Sequence, residues 1–284
     1  MIFLLFILQK EKLHNSLDLE VFLVDDILRQ QKHIHSYVYL SKDDFFEDNK
    51  KTFKNIKDFP ENFIKGIPIG TIDFVAAWLK IFKNVENMNP IEIPKVLRTQ
   101  EFLKREYAIV TSDKIPRKGK YFIKDVSQLK AFSSLTYNDL QYLDLDAMLK
   151  SPNEIKELRK KSMQLFLDNT HLFQVSERVN CLSEYRVYII DGKIQSISHY
   201  NGDPCILPDV KLIQKANLLY SMEKDYPKSY TIDIMVNERG TSLIELHPWS
   251  SIGLYSSLWG SNLLYAYVDG IDYYVNYNTP IQKS

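Results

Sequence analysis

Ile232-Asp233-Ile234-Met235-Val236, followed by Leu243-Ile244-Glu245-Leu246-His247-Pro248-Trp249-Ser250-Ser251, is the stretch that decides how this chain folds. Both runs are apolar and broken by polar residues at a period of two, which reads as a pair of strands. Asn237-Glu238-Arg239-Gly240 between them reads as the hairpin connection. Antiparallel pairing lets Asp233 and Glu245 face each other, and His247, two residues beyond Glu245, shares its face. Ile232, Ile234, Ile244 and Leu246 are then expected on the opposite face, which leaves the polar set together. Two carboxylates inside apolar strands repel unless a cation lies between them, and hard oxygen ligands select Mg²⁺. A core histidine beside exposed carboxylates is the bland alternative, and the segregation of the isoleucines weighs against it.

Two stretches upstream carry further charge in β-like surroundings. Phe173-Gln-Val-Ser-Glu-Arg-Val179 precedes Ser183-Glu-Tyr-Arg-Val-Tyr-Ile189. In the latter, Glu184 and Arg186 share one strand face, while Tyr185, Val187 and Ile189 point to the core. Such a pair can hold a hydroxyl and a phosphoryl group, or simply form an ion pair on a solvated sheet. Tyr121-Phe-Ile-Lys-Asp125 ends a β run on Lys124, and Leu129-Lys-Ala-Phe132 follows. A lysine there is costly to bury without an anion, and a phosphate is a fitting one; an edge lysine in water is the common alternative.

Around these runs the chain reads as α/β and α+β. Met1–Leu8, Leu19–Val24, His35–Leu40 and Ile67–Gly70 read as strands. Ile72–Phe82 reads as a helix with Phe74, Val75, Trp78, Leu79 and Phe82 on one stripe. A boundary is expected at Asn87–Pro94, which divides an N-terminal α/β domain (1–90) from a larger one (91–284, with subdomains 91–175 and 176–284). Helices are expected from about Lys95 to Arg105, from Glu154 to Asn169 capped by Asn153, and from Asp209 to Met222. Phe173–Glu177, Tyr185–Ile190 and Lys193–His199 read as strands, the last two joined at Asp191-Gly192.

Composition excludes several classes. Among 284 residues, 36 basic and 36 acidic side chains balance, so no net field favours nucleic acid or an anionic membrane. Hydrophobic residues at 45% and charged residues at 25% are ordinary for a globular protein. Cys181 and Cys205, far apart in sequence, point to a reduced compartment rather than a disulfide scaffold. The short apolar start lacks a basic region and a cleavage site, and no run reaches transmembrane length, so a cytoplasmic protein is expected.

Taken in order, these residues resemble the ATP-grasp superfamily, and in particular a phage and bacterial clade marked by one arginine and two lysines. The resemblance implies an ATP-grasp fold, with a small pre-ATP-grasp domain and two subdomains clasping ATP. It implies Lys124 on the phosphates, Lys130 as the second lysine, and Glu177, Arg178 and Val179 at the adenine hinge. Glu184 falls at the ribose position, Arg186 at the arginine of the clade, and Asp233, Glu245 and His247 at the metal site. Gly70-Thr71-Ile72-Asp73-Phe74 resembles the clade's Gly-Ser-x-Glu-Phe segment. His247 stands where most members have asparagine, and imidazole suits Mn²⁺ as well as Mg²⁺. Asp125 replaces a common proline, and Thr231 stands where some members have arginine. The implied activity is a carboxylate–amine (or carboxylate–thiol) ligase working through an acyl-phosphate, with a small-molecule or peptide carboxylate and an amine acceptor. A catalytically silent nucleotide-binding or interaction module is the alternative.

Overall fold

The computed structural model describes residues 4–10, 16–31, 35–47, 52–86, 88, 91–116, 120–126, 135–136, 167–168, 170–250, 252–255, 258 and 260–277, and statements of absence refer to these. The first layer is a parallel sheet. β1 (Leu5–Gln9) is buried at every position, as expected of a central parallel strand covered on both faces. The chain returns through α1 (Ser16–Gln30) to β2 (Ser36–Leu40), then passes to the other side of β1 as β3 (Gly66–Ile69), giving the order β2-β1-β3. α2 (Ile72–Lys83) follows, capped by the Thr71 hydroxyl accepting from the Phe74 N–H at 3.4 Å and ended by Asn84 at φ 54. Its expected stripe of Phe74, Val75, Trp78, Leu79 and Phe82 is buried.

One strand expectation is overturned here. Leu19–Val24 lies within α1. Glu20, Leu23, Val24, Ile27 and Leu28 are all buried and recur at helical spacing, a period that becomes visible only beyond the six residues taken as a strand.

The helix expected from Lys95 to Arg105 is also corrected. A 3₁₀ turn covers Lys95–Leu97, and α3 is the single turn Gln100–Leu103. The break falls where Arg98 turns back to donate from Nε to the Ile93 carbonyl at 2.6 Å and to pair with Glu92. Thr99 is extended and Lys104, at φ 48, ends the turn. β4 (Tyr107–Thr111), absent from the sequence expectation, comes next. β5 (Tyr121–Asp125), β6 (Leu135–Thr136) and β7 (Leu172–Glu177) complete an antiparallel sheet in the order β4-β7-β5-β6. The helix expected from Glu154 to Asn169, and Lys130 with it, lie outside the described residues.

The third sheet begins with the hairpin of β8 (Cys181–Ile190) and β9 (Lys193–Gly202). Asp191 and Gly192 both take positive φ, 49 and 70, as a two-residue primed turn requires. α4 (Val210–Tyr220), capped by Asp209, leads to β10 (Tyr230–Asn237) and β11 (Gly240–Pro248), and the sheet order is β11-β10-β8-β9. α4 and α3 cover its outer face: Ile213, Ala216 and Phe102 enclose a small space with Ile232, Ile234 and Leu243. The opposite face of this sheet looks toward the β4-β7-β5-β6 sheet.

The chain closes with α5 (Ser261–Asn276), which packs on β3, α1 and β8. It crosses the end of β11 so closely that a Cβ on Gly270 would sit 1.7 Å from the Trp249 carbonyl oxygen. One continuous hydrophobic core therefore runs from Phe6, Leu8 and Trp78 through Leu264 and Trp249 to Val187 and Ile232. Ile123, Phe173 and Val175 form a separate cluster in the β4-β7-β5-β6 sheet. Among the described residues no helix is long and apolar enough to cross a membrane.

Candidate active site

Register places three charged side chains in one row across the third sheet. Asp233 on β10 pairs with Arg186 on β8 at one side and with Glu245 on β11 at the other. Directly opposed residues bring their side chains together, so the expected facing of Asp233 and Glu245 is what the hairpin produces. Arg186 donates from Nε to Asp233 Oδ1 at 2.7 Å and from Nη2 to Oδ2 at 2.6 Å. His247 reaches back along β11, its Nε2 3.0 Å from Glu245 Oε1 and 3.6 Å from Asp233 Oδ2.

The isoleucine pattern holds only in part. Ile232, Ile234 and Leu246 are buried behind the sheet. The β10–β11 register, however, steps from Asp233↔Glu245 to Ile234↔Leu243. That shift leaves Ile244 as the extra residue of a bulge, and it lines the cleft beside Glu245 rather than the core.

Charge in this row is balanced locally. Burial opposes ionisation of Asp233, but the bonds from Arg186 and the nearby His247 hold its carboxyl below the usual range. Burial acts likewise on Glu245, and His247 and Lys124 override it, holding that carboxyl well below its ordinary value. Burial also opposes charging of His247, but its two carboxylate neighbours outweigh it and raise the imidazole above its ordinary range.

Lys124, from the other sheet, donates across the cleft to Glu245 Oε2. Arg186 is further enclosed by aromatic rings. Its guanidinium carbon lies 5.1 Å from the Tyr255 ring and 5.8 Å from the Tyr200 ring, and those two rings stack on each other at 5.0 Å. Its Nη1 is 3.4 Å from the Gly253 carbonyl, which also accepts from the Tyr188 hydroxyl at 2.9 Å.

Between the two sheets lies a cleft of about 420 Å³. Lys124 and Glu245 line it, as do Glu177, Arg178, Val179 and Glu184, so the residues expected around a nucleotide share one space. The side chain of Glu177 is committed elsewhere: both its oxygens accept from Arg239, at 2.6 and 2.8 Å. Its backbone N–H donates to the Glu106 carbonyl and that of Arg178 to the Lys120 carbonyl. Glu184 accepts a 3.3 Å contact from the Cys181 thiol.

Sequence reasoning missed Glu20. It accepts from the Ile252 and Gly253 N–H groups, both at 3.3 Å, and from the Tyr267 hydroxyl at 2.9 Å. Burial pushes its carboxyl up to about 7 against those bonds. The available signal was a carboxylate inside an apolar helical stripe. Tyr200 and Tyr255 gave no comparable signal, since one lies on β9 and the other in the segment after β11.

Asp233, Glu245 and His247 each offer one ligand atom, and those atoms lie within 4.8 Å of one another. His247 Nε2 is buried and, despite its proximity to Glu245, has no aligned hydrogen-bond partner among the described residues. Two carboxylates and an imidazole with an unspent nitrogen fit a divalent cation.

The comparisons with known proteins agree with this layout. A search of curated proteins returned no match. Among solved structures, the chain is similar to D-alanine–D-alanine ligase from Bacillus anthracis, with a TM-score of 0.53 at 11% identity over 95% of this chain and 97% of that one. It is also similar to the D-cycloserine synthetase DcsG, with a TM-score of 0.50 at 7% identity over 96% and 99% of the two chains. At such identity the likeness concerns the fold alone. Residues 102–259, more than half of the chain, match the profile of an ATP-grasp domain, the second family of the clade named for one arginine and two lysines. The fold is the ATP-grasp fold, and the chain belongs to that clade of the ATP-grasp superfamily.

Proposed function

We propose that the chain is an ATP-dependent carboxylate–amine ligase that works through an acyl-phosphate. The observation that carries this reading is the meeting of Lys124 with Glu245 across the cleft, beside Asp233 and His247. One sheet thus presents a cation for phosphate oxygens and the other a divalent-cation set, which is what phosphoryl transfer asks of a protein: positioning and charge neutralisation.

In this reading the segment Glu177–Val179 receives adenine through its backbone, because the Glu177 side chain is held by Arg239. Glu184 receives the ribose, exchanging the Cys181 thiol for a hydroxyl. Lys124 leaves Glu245 for the phosphates, joined by Lys130, whose assignment rests on the family pattern. Asp233, Glu245 and His247 hold Mg²⁺ or Mn²⁺. A divalent cation there supplies positive charge to the β- and γ-phosphate oxygens. Arg186 fixes Asp233 and adds charge next to the transferring group. The substrate carboxylate attacks the γ-phosphorus and ADP leaves; an amine, or a thiol, then attacks the acyl carbon and expels phosphate. Two of the similar folds bear the names of a ligase and a synthetase, which supports an amino-acid or peptide carboxylate as substrate.

The test is incubation with ATP, Mg²⁺ or Mn²⁺ and a pool of amino acids and peptides, followed by product mass and ADP release. The expected product is one condensation per ADP. A second reading, a silent nucleotide-binding module, draws on the raised pKa of His247, since an imidazolium between two carboxylates can itself fill a cation's place. Nucleotide binding without ADP formation for any acid would favour that reading.

A further inference from the structure

Arg105 is 4% exposed, yet no carboxylate bonds to it among the described residues. Nη1 donates to the Leu103 carbonyl at 3.1 Å, the Ser242 hydroxyl at 2.7 Å and the Leu243 carbonyl at 2.8 Å, all neutral acceptors. Nε and Nη2 have no acceptor among the described residues. What remains open of the side chain borders the cleft, together with Glu177, Met235 and Ile244. Burial lowers the guanidinium to about 10, and the field of Glu177, a carboxylate already held by Arg239, offsets only a little of that.

Its place along the cleft is fixed by β11. Lys124 meets that strand at Glu245, the metal end. Arg105 meets it at Ser242 and Leu243, toward the turn where Arg239 grips Glu177. Arg105 is therefore at the hinge end, where the reading above puts the nucleobase, with Met235 and Ile244 as apolar walls.

We propose that Arg105 is a specificity-determining residue that reads the base edge and favours a 6-oxopurine, guanine or hypoxanthine, over adenine. The inference rests on the nucleotide reading of the cleft. A guanidinium only donates. Guanine offers O6 and N7 as two adjacent acceptors to its fork, whereas adenine offers N7 beside an amino donor that cannot pair with it. The unspent Nε and Nη2 match the first edge and oppose the second.

Calorimetry of the intact protein with Mg²⁺ and nonhydrolysable GTP and ATP analogues tests this. Expected is tighter binding of the guanine analogue, by about tenfold, within the discrimination a bidentate arginine gives. R105M should abolish that ratio, and R105K, with a charge but no fork, should lose most of it. S242A, which removes a structural partner of Arg105, should leave the ratio unchanged. Thermal melts establish folding, and R105K carries the comparison if R105M does not fold. Equal ratios in wild type and the Arg105 variants, or tighter adenine binding in wild type, would overturn the inference while leaving the ligase reading intact. Failure of both nucleotides to bind would overturn the two together.

Discussion

Replacing Arg186 with methionine tests the row across the third sheet most directly. The side chains of Arg186 and Asp233 are 11% and 4% exposed, and the substitution removes two charge-assisted bonds of 2.7 and 2.6 Å. Asp233 is left ionised, buried and close to Glu245. Removing one partner of a buried pair costs about 3–5 kcal/mol. His247, 3.6 Å from Asp233 Oδ2, offsets part of this, so about 3 kcal/mol is expected. The measurement is urea unfolding at pH 7 followed by tryptophan fluorescence. D233N in the same background removes the orphaned charge and should return much of the loss, a non-additivity that a double-mutant cycle reads directly. Saturating Mg²⁺ or Mn²⁺ should stabilise R186M more than wild type, because a cation replaces the missing charge. A loss below about 1 kcal/mol, or strict additivity with D233N, would refute the claim that this pair organises the site.

Lys124→Ala should weaken binding of a nonhydrolysable ATP analogue by about 1.5–3 kcal/mol, the range for hydrogen bonds to charged groups; unchanged affinity in a folded variant removes Lys124 from the phosphate site. Glu245→Gln should abolish turnover. His247→Asn should shift metal preference toward Mg²⁺ if the imidazole is a ligand, which activity in Mg²⁺ against Mn²⁺ reports. Glu20, raised from 4.5 to about 7 by burial, retains its proton in the native state over a range where the unfolded chain has lost it. Stability should therefore fall as pH rises from about 4.5 to 7, by up to about 3 kcal/mol. E20Q should remove that slope from the denaturant midpoints, and an identical slope in E20Q would exclude Glu20 as its source.

The parts of the fold legible in the sequence are those set by local periodicity. Asp233 and Glu245 could be placed opposite each other because one short turn fixes their hairpin and β alternation does the rest. The same alternation misplaced Ile244, since a bulge adds a residue without altering composition. Arg186 was paired in expectation with Glu184 on its own strand. Its partner proved to be Asp233, because β8 lies beside β10 and the order of strands from distant parts of the chain is a tertiary property. Tyr255 and Gly253 reach Arg186 from a segment without regular structure, whose path no periodicity encodes. Leu19–Val24 was misread for the reverse reason: six residues are too few to separate a buried helix from a strand.

The continuous core linking the parallel sheet, α5 and the third sheet bears on how this protein can be divided. The N-terminal layer is not an appendage to a self-sufficient nucleotide clasp. Through Glu20 it supplies the acceptors for the Ile252 and Gly253 amides, and through β3 and α1 it covers the inner face of α5. An excised fragment starting near residue 91 would expose that apolar face to water and leave the carbonyl behind Arg186 without its buttress. Grafting a foreign N-terminal layer meets the same obstacle, since it must reproduce a buried acid at one position as well as a surface. The two ends of the chain are thus a single cooperative unit, and recombination between relatives is better tolerated within the β4-β7-β5-β6 sheet than at the apparent border near residue 90.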